Sequence, residues 1–130
     1  MNNKINIFSI WLLLLTLAIC AIILIGGYTR ISDSGLSITE WLPISGILYP
    51  LSETEWQLEF SKYKKIDEFM LVNSSMTINE FKFIYFWEWF HRFFARLVGI
   101  IYLVPLFYLL IKNKINRNYL SRIFLIGFLL

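Results

Sequence analysis

Cysteine and charge are what this sequence has least of. Its one cysteine, Cys20, sits in an apolar run, so no disulfide closes within the chain, no thiolate metal cluster is available, and the redox compartment stays open. Charged residues fill 16% of the 130 positions, where soluble domains carry roughly a quarter. The formal charge of +3 is carried by residues lying beside apolar segments; with no basic amphipathic helix, nucleic acid is excluded as an expected partner. The start, Met1 to Lys4, is weakly basic and runs into an apolar stretch too long for a signal-peptide core, without a small-residue cleavage site. No Arg- and Ser-rich transit segment precedes it, so a retained membrane anchor is expected.

What the chain does have is 58% hydrophobic residues, a mean hydropathy of +0.63 and 18% aromatics, with seven Tyr and five Trp suited to the boundary between acyl chains and water. The expected fold is an all-α membrane protein with two complete transmembrane helices, the start of a third, and a long outer loop holding a short amphipathic helix. The expected boundaries are helix one at about 7–27, the outer loop at 28–80, helix two at about 81–111, an inner loop at 112–122 and the start of helix three at 123–130. Helix one has about 20 uncharged residues, enough to cross a hydrocarbon core of roughly 30 Å. The last apolar run ends at Leu130 after about eight residues, short of the roughly 20 a span needs, which points to a truncated product, a split reading frame or an incomplete sequence.

Lys4 precedes the first span, and Lys112, Lys114, Arg117 and Arg122 follow the second, so both flanks are expected inside and the N-terminus cytoplasmic. The segment between carries eight acidic residues (Asp33, Glu40, Glu53, Glu55, Glu59, Asp67, Glu68, Glu80) against five basic ones (Arg30, Lys62, Lys64, Lys65, Lys82) and is expected outside. Gly35, Pro43, Gly46 and Pro50 mark irregular chain in its first half. Ser52 followed by Glu55 reads as a capping box opening a short helix with Trp56, Phe60 and Tyr63 on one stripe, lying on the bilayer surface or on the bundle. Thr77 followed by Glu80 repeats that signal and puts the start of the second long helix near Ile78.

The second span carries Glu88, His91, Arg92 and Arg96, which a lipid-facing helix would not tolerate. On a helical wheel these four share a face roughly 140° wide with Ala95 and Gly99, opposite Trp89, Phe90, Phe93, Phe94, Leu97, Ile100 and Ile101. Counted from Phe83 at 1.5 Å per residue, His91 lies roughly 12 Å into the outer half of the bilayer, where an unpaired charge costs about 2.5–3.5 kcal/mol. Three arrangements could offset that cost. A haem could use His91 as an axial ligand, with Arg92 and Arg96 facing propionates or neighbouring carboxylates. The four residues could form a purely structural network that aligns helices. Glu88 and His91 could be half of a Glu-x-x-His di-iron site, which needs a second such motif that this chain does not contain.

A longer pattern then stands out. Gly26-Gly27-Tyr28-Thr29-Arg30, Ser34-Gly35-Leu36-Ser37 and Trp41-Leu42-Pro43-Ile44-Ser45-Gly46 resemble the exit from the first helix of haem A synthase of the mitochondrial and alphaproteobacterial type. Glu55-Trp56, Phe60, Lys62-Tyr63, Met76-Thr77, Glu80-Phe81-Lys82-Phe83-Ile84, Phe86-Trp87-Glu88-Trp89-Phe90-His91-Arg92 and Arg96-Leu97-Val98-Gly99 resemble its outer loop and second helix. The resemblance covers about Gly26 to Tyr108, many motifs in one order. It implies a fragment of an eight-helix bundle built from two four-helix halves, an oxidoreductase that converts the haem O methyl group to the formyl group of haem A for cytochrome c oxidase.

The same resemblance implies His91 as the haem iron ligand, Glu88 as the catalytic residue, and haem b as electron-transfer cofactor in the absent C-terminal half. Haem O, membrane lipid, haem O synthase, an electron donor and further copies of the chain are the partners it suggests. The expected location is a bacterial inner membrane, the mitochondrial inner membrane being the second choice. Some bacterial members carry a cysteine pair in the first outer loop; this chain has none between Tyr28 and Lys82, which fits the mitochondrial-like class. The family's other ligating histidines lie on later helices, so this chain alone is expected to be inactive. The alternative reading is a non-enzymatic membrane subunit that binds haem or assists assembly.

Overall fold

A computed structural model describes residues 7–43 and 45–112, together with Ile123, Leu125 and Gly127. The expected inner loop at 112–122 falls, apart from Lys112, outside the described residues, as does most of the third-helix start. The architecture is all α: α1 spans Ile7–Ile31, a 3-10 turn Ser45–Ile47, α2 Glu53–Tyr63, α3 Asp67–Leu71 and α4 Ile78–Ile111. Two of these, α1 and α4, are long and apolar enough to cross a membrane. Their outward residues include Leu13, Leu17, Leu24, Ile100, Val104 and Phe107, the surface a hydrocarbon solvent would cover.

The chain divides into two compact units, one made of residues 1–21 with 95–130 and the other of Ile22–Phe94. In the first, Trp11, Leu15, Ala18, Val98, Tyr102, Leu106 and Leu109 are buried. Pro105 lies inside α4 and has no N–H to give the carbonyl four residues earlier, that of Ile101. The Trp11 indole N–H donates to that carbonyl at 2.8 Å, so a tryptophan side chain supplies the hydrogen bond the proline withholds. Tyr102 donates to the Ile123 carbonyl at 2.9 Å, and a Cβ on Gly127 would press on the same tyrosine ring and hydroxyl, so glycine there leaves the ring its place.

The second unit is organised by caps and aromatic rings. Ser52 and Glu55 form a reciprocal capping box at the start of α2. The backbone N–H groups of Ser52 and Leu51 bond the Glu55 carboxylate and hold it below the usual carboxylate range. At the start of α4, the Glu80 carboxylate accepts from the Thr77 N–H at 2.7 Å and the Thr77 hydroxyl receives the Glu80 N–H at 3.4 Å. The stripe Trp56, Phe60 and Tyr63 is buried against Phe81, Ile84 and Tyr85 of α4, with Tyr49, Ile66 and Phe69 packed around them. Of the two surfaces open to α2 in the sequence, it takes the protein one.

The end of α1 sets the direction of the loop that follows. Asp33 adopts φ 48°, the left-handed position usually given to glycine, which Asp tolerates because its short side chain can bond locally. The Ser34 N–H reaches back to the Thr29 carbonyl at 2.9 Å and the Asp33 N–H to that of Arg30 at 3.4 Å, the two bonds of a Schellman motif. A turn closed by Ser37 N–H on the Ser34 carbonyl at 3.3 Å follows at once. The chain thus reverses at Ser32–Ser37 and is delivered to the polar face of α4.

Candidate functional site

Glu88 is 4% exposed, and both its carboxylate oxygens are engaged. One accepts from the Arg92 guanidinium at 2.6 Å, the i, i+4 pair set by helix spacing. The other accepts from the Ser37 hydroxyl and the Ile38 backbone N–H, each at 2.8 Å. All three of these partners are donors, an arrangement suited to a carboxylate. Arg92 also donates to the backbone carbonyls of Ile38 at 3.1 Å and Glu40 at 3.2 Å. Lys62 on α2 ties down the Glu40 side chain at 3.0 Å.

His91, half-buried, follows Glu88 by three residues on α4. Across from it is α1, where a Cβ on Gly26 would fall 2.9 Å from the imidazole Nε2. Glycine at position 26 therefore leaves the ring edge its room on that side. Trp87, four residues before His91, packs on Tyr28 with ring centroids 4.2 Å apart and planes tilted by 50°. Its indole nitrogen is buried without a hydrogen-bond partner among the described residues.

The structure thus gathers Glu88, His91 and Arg92 in the unit Ile22–Phe94, while Arg96 belongs by position to the other unit. A cleft of about 310 Å³ in the former is lined by Thr29, Arg30, Asp33, Gly35, Leu36 and Glu68, none of them among the four residues expected from sequence. Among the described residues no group of three or more His, Cys, Asp or Glu side chains is placed to hold a metal ion. Sequence reasoning missed Ser37, the Ile38 amide and Gly26 as neighbours of the Glu88 and His91 side chains. The available signal was the short Ser-Gly-Leu-Ser turn directly after a helix exit, where small hydroxyl residues and glycine favour a chain reversal.

What this arrangement offers chemically is a fixed anionic group and a nitrogen donor on one helix face. The carboxylate is held from two chain segments at once, and the imidazole has a side-chain-free neighbour in α1.

Comparison with known proteins bears on that arrangement. The COX15-CtaA family model, described as cytochrome oxidase assembly protein, matches residues 9–130. The chain is 47% identical over 123 residues to haem A synthase of Maricaulis maris (strain MCS10), an alignment covering 95% of this chain and 36% of that protein. It is 49% identical over 121 residues to haem A synthase of Rhizobium rhizogenes (strain K84 / ATCC BAA-868), covering 91% and 33%. With haem A synthase of Rhodospirillum centenum (strain ATCC 51521 / SW) the identity is 44% over 122 residues, covering 92% and 33%. The chain spans about a third of the length of the curated relatives it matches. No solved structure matches it.

Proposed function

The chain belongs to the COX15-CtaA family of cytochrome oxidase assembly proteins, and from that premise we propose that it forms the N-terminal part of a haem A synthase, which oxidises the haem O methyl group to the formyl group of haem A. In this reading His91 ligates the iron of the haem substrate and Glu88 is the carboxylate required at the site of oxidation. Arg92 and Arg96 provide positive charge for propionates. The residues present suit such a group. A porphyrin brings four of its iron's ligands itself, so the one imidazole, which Gly26 lets lie close against α1, could complete an axial position.

The observation that carries the reading is the Glu88 carboxylate, buried and doubly anchored, three residues from the only histidine of the chain. The remaining two thirds of the relatives' length would complete an eight-helix bundle of two four-helix halves and carry haem b for electron transfer. The setting is a bacterial inner membrane with the N-terminus cytoplasmic and residues 32–77 outside; haem O synthase, an electron donor and further copies of the chain are the expected partners.

The test is the full-length gene product expressed in a bacterium deprived of its own haem A synthase, with extracted haems separated by chromatography. Haem A should form with the native sequence. His91→Ala should lower bound haem, and Glu88→Ala should retain haem O without converting it. Unchanged haem A output in His91→Ala would remove the histidine from the site.

A further inference from the structure

Glu88 could have paired with Arg92 alone, since both stand on α4 at helical spacing. A carboxylate gripped at one oxygen by a flexible guanidinium still swings about its last side-chain bond. Here the second oxygen is taken by Ser37 and Ile38, which come from a chain segment 50 or more positions away. Gripping both oxygens from two independent segments removes that rotation. We propose that the turn Ser34–Ile38 is a positioning element for the Glu88 carboxylate, with Ser37 as its positioning residue. The inference rests on the assignment of Glu88 to the oxidation of the haem methyl group.

The details of the turn suit the task. Ser34 and Ser37 are its fully buried side chains, at 0% and 1% exposure. The single Ser37 hydroxyl hydrogen lies within reach of the Glu88 oxygen at 2.8 Å and the Ser34 carbonyl at 3.0 Å. The charged acceptor wins, because a hydrogen bond to an ionised group is shorter and roughly twice as strong as a neutral one. The turn is itself held rigid, by the Schellman motif before it and by the Ser37 N–H bond across it. Arg92 grips the far side of the same segment through the Ile38 and Glu40 carbonyls. Glu88 therefore meets the segment's donors and Arg92 its acceptors, so the segment fits in one register.

The experiment uses the full-length enzyme in membranes, measuring total bound haem and the fraction converted to haem A separately. Ser37→Ala removes one oxygen atom at a buried position and leaves the Ile38 and Arg92 bonds in place. The expected result is unchanged bound haem with conversion slowed about tenfold, the loss of one hydrogen bond to a charged group. Conversion within twofold of the native enzyme overturns the proposal, and so does a parallel fall in bound haem and conversion, which would make Ser37 a fold contact only. Glu88→Ala is measured beside it. Conversion abolished there but unaffected by Ser37→Ala rejects the positioning role alone, whereas conversion unaffected by both substitutions rejects the assignment of Glu88 as well.

Discussion

Removing the Glu88 side chain should release the outer turn before it unfolds anything else. The Ile38 N–H and the Ser37 hydroxyl both end on one Glu88 oxygen at 2.8 Å. Each hydrogen bond to a charged group contributes about 1.5–3 kcal/mol. Taking the lower figure for both, because Arg92 keeps its own bonds to the Ile38 and Glu40 carbonyls, the turn loses about 3 kcal/mol of protection against local opening. At about 1.4 kcal/mol per factor of ten, its amides should exchange with solvent roughly a hundredfold faster in Glu88→Ala.

Hydrogen exchange read by mass spectrometry on peptides covering residues 34–42 measures this directly in the purified full-length protein. The α2 peptide 56–63 serves as internal reference, since its buried stripe rests on Phe81, Ile84 and Tyr85 and not on Glu88. A change below about threefold in 34–42 would refute the anchoring argument. Equal acceleration in α2 would refute its locality, since the whole unit would then be opening together.

Three further outcomes follow from other parts of the structure. Trp11→Phe leaves the Ile101 carbonyl unpaired in an apolar setting and should cost about 1–3 kcal/mol in detergent unfolding; in a Pro105→Ala background, where the helix makes its own bond to Ile101, the cost should shrink towards zero, and additive losses would refute the pairing. The Glu55 carboxyl is held low by the backbone N–H groups of Ser52 and Leu51, so its contribution to the α2 cap is complete above the unfolded value of about 4.3 and fades as the pH falls through the lowered folded value. Exchange at the start of α2 should therefore quicken on acidification below about pH 4 in the native protein and be far less pH-sensitive in Glu55→Gln; equal pH responses would count against the capping role. In a Cys20→Ser background, Phe83→Cys should react with a membrane-impermeant thiol reagent added outside and Ile100→Cys should not, both sites being exposed at 52% and 57%; protection of position 83 would return the upper part of α4 to the lipid.

Both long helices, the two helix-opening boxes and the apolar stripe of α2 were legible in the sequence because each is local. Hydrophobic runs, Ser52 with Glu55, Thr77 with Glu80, and the spacing of Trp56, Phe60 and Tyr63 all report on residues within two turns of one another. The Glu88–Arg92 pair was legible for the same reason. The partners of the second Glu88 oxygen were not. Ser37 and Ile38 reach it across 51 and 50 positions, and what brings them there is a left-handed Asp33 that no glycine advertises. Gly26 read as part of a family motif, but only the structure sets it beside the His91 ring.

The depth that counting along α4 assigns to His91 depends on where the count begins. Measuring from Phe83 assumes that every apolar residue after it is in lipid. Phe81, Ile84 and Tyr85 are buried against α2, and the Trp89 indole donates to the Ile47 carbonyl at 3.0 Å, so the segment between α1 and α4 clothes the first three turns of α4. The helix has 34 residues, about 51 Å at 1.5 Å each, against a hydrocarbon core of roughly 30 Å. Measured back from Ile111, about 20 residues reach His91. On α1, about 20 residues from Ile7 reach Gly26, the residue whose Cβ position abuts that imidazole. Two independent counts therefore meet at the same pair. At that pair the turn Ser34–Ile38 covers the Glu88 carboxylate, and the cost of burying its charge falls on the hydrogen bonds that the Ser37 hydroxyl and the Ile38 N–H supply.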